Sequence, residues 1–228
     1  GNVNFVASVS AQNTRTSRYG LEVVAGGDIV VGSSMSLTGG DWDQPLNYGF
    51  DINLTAVGNV IATGSINTSG QSANACCGSV VRSNGGNVTI SAGGYVRVVG
   101  GITASGGINS GSGSTNSNGG NVSITGAGGV TMTSGITTLG LGGTAGLITI
   151  NTGNGTVSSG AGTGVNDGQV SGVLQGGNFV KTGSGIFVLK GSNTYSGTTT
   201  ISGGILRLGA NNSIPTSSGL VLAGGEFQ

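Results

Sequence analysis

The sequence predicts an all-β protein folded as a right-handed parallel β-helix, a β-solenoid with three short strands per coil. The first observation behind this is residues 85–107, GGNVTISAGGYVRVVGGITASGG, in which Val88-Thr89-Ile90, Val96-Arg97-Val98 and Ile102-Thr103-Ala104 each alternate apolar and polar. Apolar residues two apart line one face of a strand, so Thr89, Arg97 and Thr103 point outward. The connections Ser91-Ala92-Gly93-Gly94 and Gly100-Gly101 are too short for a helix and carry the glycine that a sharp corner needs. The second observation is recurrence. Ile29, Val60, Val96, Val130 and Val157 mark successive second strands, 31, 36, 34 and 27 residues apart. In the first four coils a bulky apolar residue follows six positions later, at Met35, Ile66, Ile102 and Ile136. Length varies only after the third strand, at 39–47, 70–86, 106–120 and 139–146, which is how a solenoid with one variable exit per coil reads.

Such coils hold only by stacking. One coil buries roughly six apolar side chains at ~1.5–3 kcal/mol each, whereas ordering its ~25–30 residues costs about 1–2 kcal/mol per residue for the backbone alone. Neighbouring coils supply the hydrogen-bond ladder and close the apolar column. The inward positions are Val88, Ile90, Val96, Val98, Ile102, Val122, Ile124, Val130, Met132, Ile136, Ile148, Ile150, Leu189, Leu206 and Leu208, and eight or nine coils are expected.

Composition narrows the function classes. Of 228 residues 51 are Gly, seven are basic, seven are acidic and none is His. Without a Gly-X-Y period the glycine is not collagenous, and the regular alternation is not that of a disordered chain. No basic patch answers a phosphate backbone and aromatics are 4%, so nucleic acid is not a partner. The longest apolar runs fall far short of the ~20 residues that span a bilayer. Nothing in the sequence implies a cofactor or a metal site. Both ends fall inside repeats, so the chain reads as a segment of a longer protein.

Taken in order, residues 1–10 read as one strand, with Val3, Phe5, Ala7 and Val9 alternating, and 13–18 as a polar loop. Residues 19–23 align with 48–52, which makes Glu22 and Asp51 equivalent outward sites. Two carboxylates a coil apart have the makings of an acid catalyst or a calcium site; the simpler reading is solvated strand surface. Asp41, Trp42 and Asp43 lie in the first exit loop with the only Trp, where a ring beside carboxylates suits sugar contact or a side cap for the solenoid.

Cys76 and Cys77, the only cysteines, form either a vicinal disulfide or two thiols; adjacent in sequence, they cannot staple distant segments. Because successive exit loops stack, Trp42, Tyr48, Arg82 and the Cys76-Cys77 pair are expected along one edge, the candidate binding surface. Residues 110–120 form a Ser/Gly loop. Outward Thr89, Ser123 and Thr149 give one hydroxyl per coil, sparser than the arrays with which solenoids bind ice.

From about Gln175 the corners change register. Lys181, Gly183, Gly185, Asn193, Tyr195, Gly197, Thr199, Gly204, Leu206, Leu208 and Gly209 fit the pattern Lys-x-Gly-x-Gly, apolar strand, Gly-x-Asn-x-Tyr-x-Gly-x-Thr, Gly-x-Leu-x-Leu-Gly. Residues 176–209 thereby resemble the autotransporter-associated β-strand repeat. Residues 20–160 are similar in pattern to the coils of filamentous-haemagglutinin-type exoproteins. Two segments follow, 1–174 with the looser coils and 175–228 with the repeat, in one continuing solenoid.

The resemblance implies a passenger of type V secretion. Such a passenger is exported through an outer-membrane translocator to the surface of a Gram-negative bacterium and acts as an adhesin or fibre. Its partners would be a host or neighbouring-cell surface, including glycans, or further copies joined end to end. It implies no catalytic residue. A polysaccharide-cleaving β-helix enzyme is the reading from another class, but such an enzyme needs clustered carboxylates or a Lys/Arg base on one face, and the acids here are dispersed at Glu22, Asp28, Asp41, Asp43, Asp51, Asp167 and Glu226.

Overall fold

The structure, a computed structural model, describes residues 1–13, 20–39, 48–72, 80–108, 111, 113–153 and 168–228. These form a parallel β-solenoid with no helix among the described residues. Sheet 1 stacks the first strands of the coils: Gly20–Ala25, Asp51–Ala56, Val88–Ala92, Val122–Gly126, Ile148–Thr152, Phe179–Thr182, Thr199–Ile201 and Leu220–Leu222. Sheet 2 stacks nine second strands, from Val3–Phe5 to Glu226–Phe227, and sheet 3 stacks six third strands, from Val9–Asn13 to Leu174–Gln175. Every pairing between these strands is parallel and joins one coil to the next, as in Val88↔Val122 and Ile90↔Ile124.

The interior follows from the period-2 alternation. Val23, Leu54, Ile90, Ile124 and Ile150 stack in register on sheet 1, and Ile29, Val60, Val96 and Val130 on sheet 2, all buried. All the expected inward residues are buried except Leu208, which is 38% exposed. Its strand pairs over four residues with Ile186–Leu189, but with Glu226–Phe227 only at Ile205 and Leu206.

Side chains also tie coils together at the corners. Asp28 Oδ1 accepts the Asn59 N–H at 2.7 Å, and Asn59 Oδ1 accepts the Tyr95 N–H at 3.0 Å. A second ladder runs from Asp51 through Asn87 and Asn121 to the Leu147 N–H, at 2.6, 2.9 and 2.9 Å. Short amides are suited to this because they satisfy a backbone donor that the turn leaves unpaired. Where the chain returns from sheet 3 to sheet 1, backbones approach so closely that a Cβ at Gly120 would stand 2.0 Å from the Gly86 carbonyl oxygen. Only glycine fits there.

Four details correct the sequence reading. Residues 1–10 are two strands, Val3–Phe5 and Val9–Asn13, because a corner falls between them; each pairs with a different sheet. Glu22 and Asp51 are not equivalent, since the register pairs Glu22 with Asn53 and Asp51 with Gly20. The fifth marker is Gly168: Val157 lies outside the described residues, and the strand paired with Val130–Met132 is Gly168–Val170. Length therefore varies after a first strand as well, between Thr152 and Gly168. Lastly, sheet 3 ends at Gln175, and the third run is carried onward by an extended segment without strand pairing. There the Thr194 and Ser196 N–H groups donate to the carbonyls of Leu174 and Gly176, at 3.0 Å each.

Candidate functional site

Two places were singled out by the sequence, the exit-loop edge and the repeat. On the edge, Asp41, Trp42, Asp43, Cys76 and Cys77 lie outside the described residues. Tyr48 is half-buried and Arg82 exposed. The Gly49 N–H donates to the Asn84 carbonyl at 2.9 Å, which brings the backbone next to Tyr48 beside the segment two residues beyond Arg82. Later exit loops do stack: Ser114 and Thr115 pair with Val80 and Val81, and Ser117 bridges Leu141. Among the described residues no group of three or more His, Cys, Asp or Glu comes together.

The repeat is the better-defined site, and its polar residues face inward. Lys181 occupies a place in the apolar column of sheet 1, paired with Ile150 below and Ile201 above, and is fully buried. Its ammonium donates to the carbonyls of Thr182 at 2.6 Å, Gly183 at 2.9 Å and Gly203 at 3.2 Å. Three donors thus meet three acceptors from two successive coils. Gly183 presents its carbonyl from φ +76°, a conformation that favours glycine, and Gly204, just past Gly203, adopts φ +62°. The Lys-x-Gly spacing is the local geometry of this clamp.

Asn193 and Tyr195 alternate inward on the third run. Asn193 Oδ1 accepts the Leu174 N–H at 2.8 Å and its Nδ2 donates to the Ser213 carbonyl at 2.5 Å, so one amide joins the coil below to the coil above. The Tyr195 ring packs on Phe179, with centroids 5.9 Å apart, and Phe179 packs on Phe187 at 6.4 Å. These rings fill the interior where Gly168, paired with Phe187, contributes no side chain. The Tyr195 hydroxyl lies 2.6 Å from Thr199 Oγ1, which lies 3.1 Å from Ser218 Oγ. Ser218 gives its single hydrogen to the Gly197 carbonyl at 2.7 Å. The chain then has one consistent direction, with Tyr195 donating to Thr199 and Thr199 to Ser218. Sequence reasoning matched these residues to the repeat but assigned them no such contacts, because a polar residue in a strand pattern reads as surface unless its partners are known.

Residues 179–208 match the family model of the passenger-associated-transport-repeat. Neither a curated protein nor a solved structure matches the chain. The transport repeat belongs to autotransporter passengers, so this segment carries the mark of a secreted or cell-surface protein. Its Lys181 clamp and its Tyr195–Thr199–Ser218 chain lie inside the solenoid, so what the transport repeat supplies here is construction. Outside it, Asn193–Ser196 and the loop from Asn212 to Ser217 line a shallow groove of about 510 Å³.

Burial pushes the Tyr195 phenol above its ordinary pKa, and the nearby Thr199 and Ser218 hydroxyls offset this only in part. The folded chain then holds this proton more tightly than the unfolded chain does. Stability from this group is complete below about pH 10 and falls as pH rises through the folded value. Tyr195→Phe is expected to cost about 1 kcal/mol at neutral pH and to flatten the alkaline loss. Denaturant midpoints between pH 8 and 11 check this; equal slopes for parent and variant would rule it out.

Proposed function

We propose that the chain is a load-carrying, loop-displaying segment of a large surface adhesin or extracellular fibre of a Gram-negative bacterium, exported through an outer-membrane translocator. One observation supports it most: the transport repeat is built into the same two parallel sheets as the preceding coils, with Ile148–Thr152 paired to Phe179–Thr182. A passenger that extends coil by coil gains reach without a change of core, and it presents side chains and exit loops at regular intervals. The reading is non-enzymatic. In its support, Asp28 and Asp51 each accept a backbone N–H from the next coil, which employs them structurally. The partners would be a host or neighbouring-cell surface and its glycans.

Antibody labelling and protease shaving of intact cells test the location, with the chain expected outside; recovery only from the cytoplasm would sink the proposal. Attachment assays test the edge. Trp42→Ala combined with Arg82→Ala should lower adhesion about three-fold or more with an unchanged melting temperature, whereas unchanged adhesion would show that the exit loops do not carry recognition.

A further inference from the structure

The first strands are longer than the sequence suggested, and this changes what sheet 1 shows to solvent. Asp51–Ala56, Val88–Ala92, Val122–Gly126 and Ile148–Thr152 each run two residues past Leu54, Ile90, Ile124 and Ile150, so each of these four coils presents two outward side chains there. In register these are Asn53 and Thr55, Thr89 and Ser91, Ser123 and Thr125, then Thr149 and Asn151. All eight carry a hydroxyl or an amide, none is charged and none is aromatic. Within the described residues no side-chain hydrogen bond engages any of them, whereas Asp28, Asp51, Asn59, Asn87 and Asn121 at the corners are all engaged. The outward face of sheet 2 is mixed by comparison, with Val30, Ile61, Arg97 and Thr131 in line.

The pairs make two parallel rows. Along each row groups recur every ~4.8 Å, and the rows stand roughly 6.5 Å apart, two residues along a strand. The first spacing is close to the length of one pyranose unit in an extended β-linked glycan. A chain lying along the solenoid axis would therefore meet one coil per sugar, with a donor or acceptor on each edge of every ring. The β-branched Thr side chains hold their hydroxyls in few rotamers, so little freedom is lost on contact. An uncharged face suits an uncharged polymer, because a charged one would have its counterions stripped with nothing to replace them. Glu22 and exposed Val24 bound the track on one side; on the other, Val180 ends the row of Thr149 while Thr182 follows Asn151.

We propose that the outer face of sheet 1, from Asn53 to Asn151, is a docking track for an extended neutral β-linked polysaccharide, read at one sugar per coil. It names the ligand class for the adhesin reading on which it rests. The secreted protein is titrated by calorimetry with neutral β-1,4-linked oligosaccharides of two to eight sugars. Affinity is expected to rise with each sugar up to about four, one per coil, and then to level. Thr89→Val, which keeps the shape and removes the hydroxyl, should weaken binding about three- to ten-fold, and Ser123→Glu should abolish it with the melting temperature unchanged. Arg97→Ala on sheet 2 should have no effect.

The absence of binding at every length overturns the track, as does binding insensitive to Thr89→Val and Ser123→Glu. Binding lost instead in the Trp42→Ala, Arg82→Ala double variant places recognition on the exit loops and leaves the adhesin reading standing. Partition into ice with no oligosaccharide binding also overturns it. Cytoplasmic recovery of the chain would remove the adhesin reading without touching the calorimetric result.

Discussion

Ile90→Asp is expected to destabilise the solenoid by several kcal/mol at neutral pH. Ile90 is fully buried and stacked between Leu54 and Ile124 on neighbouring coils. The substitution removes a core side chain, which alone costs about 2–5 kcal/mol when Ile becomes Ala, and adds a carboxylate with no partner in the column. The new group would avoid charging, so its folded pKa would stand above the ordinary carboxylate value near 4. A raised folded pKa means the added penalty is absent below the unfolded value and grows as pH climbs through the folded one. Thermal or denaturant midpoints of parent, Ile90→Ala and Ile90→Asp at pH 4 and pH 7 check this. The Asp variant should lie well below the Ala variant at pH 7 and approach it at pH 4. An Ile90→Asp protein that melts like the parent would show that the register is wrong.

The effect should also spread. In a stack where each coil is held by two neighbours, a broken coil leaves two open faces where there was one column. Limited proteolysis of the variant should therefore cut on both sides of residues 88–104.

The same dependence on neighbours explains what was legible in the sequence. The columns through Val88, Val96 and Ile102 could be read because the apolar period and the six-residue spacing from second to third strand are local properties of each coil. What failed was every reading that needed to know which residue stacks on which. Gly168 takes the place of a second-strand marker and has no side chain to announce it; the volume it leaves is filled by Phe179 and Phe187 from the next coil. Glu22 and Asp51 align by their neighbours in the chain but are offset by two residues in the ladder. The paired polar rows of sheet 1 were read as one row because Ser91 and Thr125 resemble corner residues when a strand is judged by its apolar positions alone.

At the repeat the sequence pattern was recognisable while its physics was not. Lys181 in a strand of alternating residues reads as a solvated lysine, yet parity places it inward with Phe179. Its acceptors come from Thr182 and Gly183 beside it and from Gly203, 22 residues away, and only the coil geometry joins them. Likewise Asn193 fits an ordinary turn pattern until its two partners, Leu174 and Ser213, are placed on either side.

Lys181→Ala is expected to cost about 3–5 kcal/mol, through a cavity in the column and the loss of donors to three buried carbonyls. Lys181→Met separates the two contributions, since it restores most of the volume and none of the donors. Its expected loss is about 2–4 kcal/mol, because hydrogen bonds to a charged donor are worth more than neutral ones and a buried carbonyl left unpaired carries its own penalty. The clamp joins the coil of Thr182 and Gly183 to that of Gly203, so both variants should loosen 199–208 against 179–189 first. Hydrogen exchange should show this as faster exchange at the Ser202 N–H, which donates to the Lys181 carbonyl, and at the Ile205 N–H, which donates to the Gly185 carbonyl. The N–H groups of Val88 and Val122, several coils away, should keep their protection. Matching denaturant midpoints for Lys181→Met and the parent would mean that the lysine is tolerated in the column only as bulk.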